Sequence, residues 1–332
     1  MIRFGMCGCG GFIEKAVLPR MRDVENARPV AAFDTSKECL ERVCRDFDIA
    51  RACTSYAELL SADNVDAVYI ASPNVFHKEQ VLAAAKAGKH VFCQKPMGLN
   101  AAECRDMVRT CRQCGVKLGV GFCYPFGGAQ QRAKELIQEG VIGEVSHIHI
   151  SFNLGTYTRE TVGWRCDPKM SGGGPLMDLA PHLVNLACFF LDDKVESVMA
   201  YVRPGKTDTE IETDVAALLE FRRGARVSID TSFLRRNTHN YAIVGTTGEI
   251  RAVGTMGWQA GGELSLHLAD HEREDVPFPS VEHIEQELRL YCRAVEKDQE
   301  PPVPGEAGLH AQATIDAIYK SGRTGKRCAV EE

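Results

Sequence analysis

The sequence predicts two domains: a doubly wound α/β domain with a parallel sheet over residues 1–122, and an α+β domain with a large, mostly antiparallel open sheet over residues 123–332. Three observations support this. A glycine-rich turn follows the first strand, and short apolar strands then alternate with helices up to position 122. The later strands are longer and alternate between apolar and polar residues. A chain of 332 residues can form a core for each domain.

The composition excludes several classes of protein. Charged residues make up 25% of the chain, hydrophobic residues 44%, and the net charge is -6. This balance offers no surplus of positive charge for nucleic acid or an anionic membrane, so we expect a small-molecule partner, no nucleic acid and no membrane. The N-terminus enters a strand at once and no run approaches the length of a membrane span. We therefore expect a cytoplasmic protein.

Fourteen cysteines without a secretion signal favour reduced thiols. Two close pairs suggest a metal or redox site: Cys7 with Cys9, and Cys111 with Cys114. A metal at the first pair would block the glycine turn, and no second pair at zinc-finger spacing follows the other. Small buried side chains explain both pairs better, so we expect no metal site.

The N-terminal turn has the composition of a phosphate-binding loop. A strand over residues 2–6 is followed by glycines and then by a helix to about Met21. Glycines allow the backbone to approach a pyrophosphate, and the helix N-terminus supplies N–H donors. The dinucleotide fingerprint ends in Gly or Ala, whereas this chain has Ile at that position, so the motif alone is weak. The candidate cofactor-binding residues are Gly8, Gly10, Gly11, Phe12 and Ile13.

The second strand, residues 29–34, ends in an acidic residue at the distance from the turn that the fingerprint requires. A carboxylate at Asp34 accepts hydrogen bonds from both ribose hydroxyls and repels a 2'-phosphate. We therefore expect NAD rather than NADP, although the nearby Lys37 weakens this preference. Thr35 is a further candidate beside the ribose.

Two later strands place polar residues at the carboxyl edge of the sheet, where parallel sheets bind ligands. The strand over residues 67–71 precedes a turn and a helix over residues 77–87. The strand over residues 90–93 leads into Gln-Lys-Pro. The candidates at this edge are Ser72, Pro73, Asn74, His77, Gln94 and Lys95.

The first domain then closes in a regular way. Asn100 and Glu103 predict a capping box for a helix that stops at Gly115. The strand over residues 116–122 completes the series.

In the second domain, a helix over residues 127–139 precedes a strand over residues 145–153. Ile148, Ile150 and Phe152 are expected to face inward, and His147, His149 and Ser151 outward. Metal binding by the two histidines lacks a third ligand, so a solvated or interface face is the better interpretation. Further strands are predicted at 195–203, 213–222, 225–233, 240–245, 249–253 and 263–269, and helices at 281–297 and 306–319. Consecutive hairpins leave one broad face exposed, which is a candidate dimer surface.

The stretch 171–185, SGGGPLMDLAPHLVN, carries the strongest chemical signal. Asp178 and His182 are four residues apart, a spacing that places them on one face of a helix. A carboxylate can orient the imidazole, which exchanges protons near neutral pH. From this stretch alone it stays open whether Asp178 instead caps the helix and His182 is a core histidine.

Taken together, these segments resemble the glucose-fructose oxidoreductase and inositol dehydrogenase (Gfo/Idh/MocA) family. The resemblance runs nearly end to end and includes GCGGF, SPN with its following histidine, AGKHVFCQKP, WRCDPKMSGGGPLMDLAPH and the closing SGRTGK. It implies a Rossmann domain that binds NAD or NADP, and a second domain whose open sheet often forms a homo-oligomer, a dimer or tetramer. It also implies a carbohydrate or polyol substrate, and it places the catalytic residues at Lys95, Asp178 and His182.

The reaction that this implies is oxidation of a secondary hydroxyl. His182 would abstract the hydroxyl proton while Lys95 hydrogen-bonds the same oxygen, although the two roles are exchangeable. Asp178 would orient His182 or hold a vicinal hydroxyl. The family usually has Glu where this chain has Gln94, and the loss of that negative charge favours release of a proton from Lys95.

Three further residues are substrate or cofactor candidates. Trp164 and Arg165 precede the acid and histidine and are expected to close over the nicotinamide or substrate, or else to form a domain-interface pair. Tyr124 is expected to form a wall of the cleft. Asn185 stands where the family often has a second acid.

Two other functions stay open from the sequence. One is a glycosidase that oxidises its sugar transiently with tightly bound NAD. The other is a non-catalytic NAD-binding protein, which the retained Lys95, Asp178 and His182 disfavour.

Overall fold

The computed structural model describes residues 1–155, 163–205, 210–257, 261–269 and 273–332. The chain forms two compact units, one of residues 1–123 with 284–309, the other of residues 124–283 with 310–332. The sequence analysis had placed residues 284–309 in the second domain. They belong to the first because Leu288 and Tyr291 are buried in its core.

The first unit is built on a six-stranded sheet with the order β3-β2-β1-β4-β5-β6. Its neighbouring strands are all parallel. This confirms the predicted doubly wound sheet, whose order reverses at β1 and β4 and so opens a crevice at their carboxyl ends. The strands are β1 (Ile2–Cys7), β2 (Ala27–Phe33), β3 (Arg51–Cys53), β4 (Ala67–Ile70), β5 (His90–Gln94) and β6 (Leu118–Gly121).

Helices cover both faces of this sheet, and three of them have a side-chain cap. Ser36, Ser55 and Asn100 accept hydrogen bonds from backbone N–H groups of their first turns. The Asn100 cap was predicted, but the Glu103 carboxylate accepts from the N–H of Leu99, one residue before the cap. The helical segments are Ile13–Val17, which is π-helical, Leu18–Met21, Lys37–Asp46, Tyr56–Leu60, Asn74–Phe76, His77–Lys86, Ala101–Gln113 and, after the return of the chain, His283–Glu296.

The core of the first unit includes a column of aromatic rings. The centroids of Tyr69 and Phe92 are 4.9 Å apart, and those of Phe92 and Tyr291 are 5.0 Å apart. Gly119 on β6 makes room for this column, because a Cβ there would lie 2.6 Å from the Tyr291 ring. The returning helix is therefore part of this core.

The second unit is built on a nine-stranded sheet with the order β14-β13-β12-β11-β7-β10-β9-β8-β15. Its described strands pair in antiparallel fashion, except for the parallel pair of β7 and β10. The predicted mostly antiparallel sheet is confirmed. The strands are β7 (Val145–Asn153), β8 (Val195–Pro204), β9 (Glu212–Phe221), β10 (Arg226–Ser232), β11 (Thr238–Gly245), β12 (Gly248–Val253), β13 (Glu263–Leu268), β14 (Glu274–Asp275) and β15 (Cys328–Ala329).

The inner face of this sheet is covered by helices. Ile148 and Ile150 are fully buried and Phe152 is 6% exposed, as predicted, whereas His149 is exposed. The stretch Pro168–Leu191 is apolar and long enough to cross a membrane by composition, but 78% of its most apolar window is buried, as in the core helices of globular domains. The helical segments are Tyr124–Phe126, Gly128–Gln138, Gly163–Cys166, Pro168–Ser171, Pro175–Asp178, Ala180–Leu191 and Gly305–Thr324, of which residues 310–324 belong to this unit.

Candidate active site

The glycine turn after β1 has the shape that a pyrophosphate requires. Gly8 has a φ of +84°, and a Cβ there would lie 2.6 Å from the backbone nitrogen of Ser72. A Cβ at Gly10 or Gly11 would meet no atom within 4 Å. Space is therefore open above the turn at the start of the following helix, and the turn fits a dinucleotide.

Asp34 is held against this turn. One carboxylate oxygen accepts the N–H of Cys9 at 2.7 Å, and the other accepts the N–H of Ser36 at 2.7 Å. A carboxylate has about four acceptor sites, so two stay available for ribose hydroxyls. Thr35 beside it is exposed, and Lys37 forms an ion pair with Glu41 at 3.7 Å on its own helix.

The turn after β4 contains the next group of predicted residues. The Ser72 hydroxyl donates to the Gln80 side chain at 2.5 Å, and Asn74 is buried. His77 is 1% exposed, and its ring nitrogens lie 2.9 Å from the carbonyl oxygens of Pro96 and Ser72. The ring therefore faces the protein backbone, which differs from the cofactor contact expected of His77.

Gln94 and Lys95 stand at the end of β5 and differ in role. The Gln94 amide donates to the Tyr69 hydroxyl at 2.6 Å and is buried. Its partner across the strand pair is Gly121, where a Cβ would lie 2.5 Å from the Gln94 amide nitrogen. Gln94 is thus fixed in the interior of the unit. Lys95, the next residue, is half-buried at the carboxyl edge of the sheet.

Asp178 and His182 lie on two consecutive helices, Pro175–Asp178 and Ala180–Leu191, rather than on the single helix predicted. Pro181 explains the break, because proline has no N–H to donate to the fourth carbonyl before it. The His182 N–H donates instead to the Leu179 carbonyl at 3.1 Å. Asp178 is half-buried, and His182 is 9% exposed.

A buried acid that the sequence analysis missed supports the glycines before these helices. One Glu212 carboxylate oxygen accepts the N–H groups of Gly174 at 2.9 Å and Leu176 at 3.0 Å. Burial raises the pKa of Glu212, and these two hydrogen bonds oppose the rise. A Cβ at Gly174 would collide with the Glu212 carbonyl, so the contact requires glycine. The available signal was weak, because Glu212 is the middle one of three alternating acids, with Glu210 and Asp214, at the start of an apolar strand.

Tyr124 lies beside the histidine in the second unit. Its ring centroid is 4.7 Å from that of His182 and 5.6 Å from that of His283, a buried residue that the sequence analysis also missed. Further along, the Arg165 guanidinium lies 4.6 Å from the Trp164 ring centroid, within range of a cation–π interaction. The expected contacts of both residues with cofactor or substrate stay predictions.

The predicted site residues therefore form two groups. The glycine turn, Asp34 and the turns after β4 and β5, with Lys95, belong to the first unit. Tyr124, Asp178 and His182 belong to the second. The meeting of Lys95 and His182 at one substrate oxygen stays a prediction.

The cysteines are all free thiols. Burial raises the pKa of Cys111 to about 12, and it raises the pKa of Cys7 and Cys9 further. In the described ranges, no group of three or more His, Cys, Asp or Glu residues is placed to hold a metal ion. Cys7, Cys9 and Cys111 are therefore protonated core residues, whereas Cys114 is exposed, so the prediction of buried side chains is wrong for this one residue.

Comparison with known proteins supplies the context for this geometry. Residues 2–122 match the oxidoreductase family with an NAD-binding Rossmann fold, and residues 130–251 match the GFO/IDH/MocA C-terminal domain. A D-xylose 1-dehydrogenase (NADP(+)) from Haloferax volcanii is 32% identical over 97% of this chain and 98% of its own length. A 1,5-anhydro-D-fructose reductase from Ensifer adhaerens is 28% identical over 100% of this chain and 99% of its own.

A solved structure agrees over almost the same length. A point mutant of a 3-ketoreductase from Actinomadura kijaniata, in complex with TDP-benzene and NADP, superposes with a TM-score of 0.88 at 25% identity. The match covers 96% of this chain and 97% of that one. Both units therefore have counterparts in the same solved chain.

Proposed function

Because this chain belongs to the GFO/IDH/MocA family of oxidoreductases, we propose that it transfers a hydride between a secondary hydroxyl of a sugar, inositol or glycoside and a nicotinamide cofactor. The family establishes an NAD(P)-dependent oxidoreductase. The names of the two relatives, which refer to D-xylose and 1,5-anhydro-D-fructose, support a carbohydrate substrate. The observation that carries the proposal is the position of Lys95 at the carboxyl edge of a sheet whose glycine turn fits a dinucleotide.

Each of the three candidate catalytic residues has a distinct role in this reaction. His182 takes the hydroxyl proton, and Lys95 donates a hydrogen bond to the same oxygen, or the two exchange these roles. Asp178 orients His182 or binds a vicinal hydroxyl. NAD(P), when bound, supplies the acceptor for the hydride.

Asp34 favours NAD over NADP. Its carboxylate is held beside the glycine turn, and the 2'-phosphate of a ribose bound next to it would meet a like charge. Lys37, which could offset this charge, is paired with Glu41.

The outer face of the second sheet supports a homo-oligomer, a dimer or tetramer. Met199 on β8 pairs with Leu218 on β9, and Tyr201 pairs with Ala216. The exposed fractions of Met199, Tyr201 and Leu218 are 55%, 75% and 44%. Neighbouring exposed apolar side chains on one sheet are typical of a surface that a second copy covers.

The deciding experiment is a screen of monosaccharides, inositols and glycosides with NAD and NADP, followed by absorbance of the reduced nicotinamide. We expect turnover with at least one polyol. Lys95→Met should reduce this turnover to a small residual rate and retain cofactor binding, whereas Lys86→Met, at an exposed position on a helix of the same unit, should leave both intact. Release of free sugar without net cofactor reduction would instead indicate the glycosidase, and full turnover by Lys95→Met would refute the proposed role.

A further inference from the structure

We propose that His77 is a positioning residue for Lys95, in which the imidazole ties the turn after β4 to the turn after β5. The inference rests on the proposed role of Lys95. It assigns His77 a function that differs from contact with the cofactor.

The geometry of the ring carries this inference. Nδ1 lies 2.9 Å from the carbonyl oxygen of Pro96, the residue that follows Lys95, and Nε2 lies 2.9 Å from the carbonyl oxygen of Ser72. With 1% of the residue exposed, neither nitrogen is open to solvent. One side chain therefore bridges the two turns at the carboxyl edge of the sheet.

The number of hydrogen bonds that the His77 ring makes depends on its protonation state. A carbonyl oxygen only accepts, so each contact is a hydrogen bond only when the nitrogen facing it carries a proton. A neutral imidazole has one such proton and binds one turn, whereas an imidazolium binds both. Burial lowers the pKa of His77 and the charge of Lys95 lowers it further, whereas the carbonyl groups of Pro96 and Ser72 raise it.

The contact between His77 and Pro96 should affect catalysis because Pro96 is next to Lys95 in the chain. The carbonyl of Pro96 is one residue from Lys95, so release of this carbonyl lets the lysine move relative to the cofactor turn. A displacement of about 1 Å in a reacting group can cost about 100-fold in rate. We therefore expect His77→Phe, which keeps a planar ring and removes both ring nitrogens, to lower kcat by about 100-fold.

The control is His90→Phe at the opposite end of β5. His90 is partly buried and, like His77, bonds to backbone, since its Nδ1 accepts the Lys117 N–H at 3.1 Å. We expect this variant to keep wild-type kcat. If His77→Phe does not fold, His77→Gln replaces it, because its amide donates to at most one well-aligned carbonyl at a time and should give a smaller loss in the same direction.

A double-mutant cycle separates positioning from general damage. If His77 acts through Lys95, His77→Phe should not lower the residual rate of the Lys95→Met variant any further. An equal loss in both backgrounds, or full kcat in a folded His77→Phe protein, would overturn the inference.

A measurement that does not depend on turnover tests the role of His77 separately from the proposed reaction. Reductive methylation with formaldehyde and borohydride, followed by mass spectrometry, measures the reactivity of individual lysines. We expect His77→Phe to change the labelling rate of Lys95 and to leave that of Lys86 unchanged. An unchanged rate at Lys95 would sink the positioning role, whereas a wild-type protein that turns over no polyol would refute only the proposed reaction.

Discussion

The ring of Tyr124 packs against the ring of His182, with centroids 4.7 Å apart and planes tilted by 48°. Tyr124 is 5% exposed and His182 is 9% exposed, so the imidazole is enclosed on this side by an aromatic wall. An enclosed imidazole has fewer orientations to lose when it binds a substrate hydroxyl.

Two substitutions of Tyr124 should distinguish the contribution of its ring from that of its hydroxyl. Tyr124→Ala removes the wall and should lower kcat by about 10- to 100-fold, because His182 gains freedom to rotate. Tyr124→Phe keeps the wall and should mainly raise KM, by about fivefold if the hydroxyl donates one hydrogen bond to substrate. Steady-state kinetics with the best polyol distinguish the two. Unaltered kcat in a folded Tyr124→Ala protein would show that the wall does not act on the histidine.

Substitution of Asp34 should change the choice of cofactor. Asp34→Asn keeps the size of the side chain and removes the charge that repels a 2'-phosphate, so the ratio of kcat/KM for NADP to that for NAD should rise about tenfold or more. Asp46→Asn, at the far end of the following helix, serves as the control and should leave this ratio unchanged. A ratio that stays fixed in Asp34→Asn would mean that another residue selects the cofactor.

Glu287 should make the stability of the protein depend on pH. It is 3% exposed, one carboxyl oxygen has no hydrogen-bond partner, and burial raises its pKa well above the usual range. The unfolded chain releases this proton near pH 4.3, whereas the folded protein retains it to a higher pH. Stability is therefore lost as pH rises above about 4.3, by up to about 1.4 kcal/mol per pH unit until the folded group ionises.

Glu287→Gln removes this dependence. We expect the variant to gain unfolding free energy relative to wild type as pH rises from 5 to 8, measured by urea denaturation. Glu285→Gln on the same helix loses only an ion pair with Arg289. It should therefore lower the unfolding free energy by a similar small amount at every pH. A Glu287→Gln protein that loses stability equally at every pH would contradict the assignment of a buried, protonated acid.

The outer sheet face should control assembly. Leu218→Glu places a charge beside Met199 at the centre of the proposed contact and should convert the oligomer to a smaller species. Leu234→Glu, at another exposed leucine of the same unit, should leave the mass unchanged. Light scattering coupled to gel filtration measures both. An unchanged mass for Leu218→Glu would place the contact elsewhere.

Sequence patterns that span only a few residues predicted much of the fold. The bounds of β7 agree with the prediction at both ends, because Ile148, Ile150 and Phe152 alternate with polar residues over its whole length. The Asn100 cap was predictable for the same reason, since the donor and the acceptor are three residues apart.

Features that depend on distant contacts were not predictable in this way. Tyr291 fills the space above Gly119 in the first unit, and nothing near either residue marks this pairing. Glu212 supports Gly174 across 38 residues of sequence. The break before His182 was a different kind of miss, because Pro181 was visible in the sequence while the four-residue spacing received the weight.

The path of the chain limits how this protein can be divided into fragments that fold independently. Since residues 284–309 return to the first unit, neither unit is one uninterrupted stretch of the polypeptide. A gene fragment that ends at position 123 would encode the nucleotide turn without Leu288 and Tyr291, and its product would expose the surface that these residues cover. Exchange of cofactor modules between relatives therefore requires two separate pieces of sequence to move together.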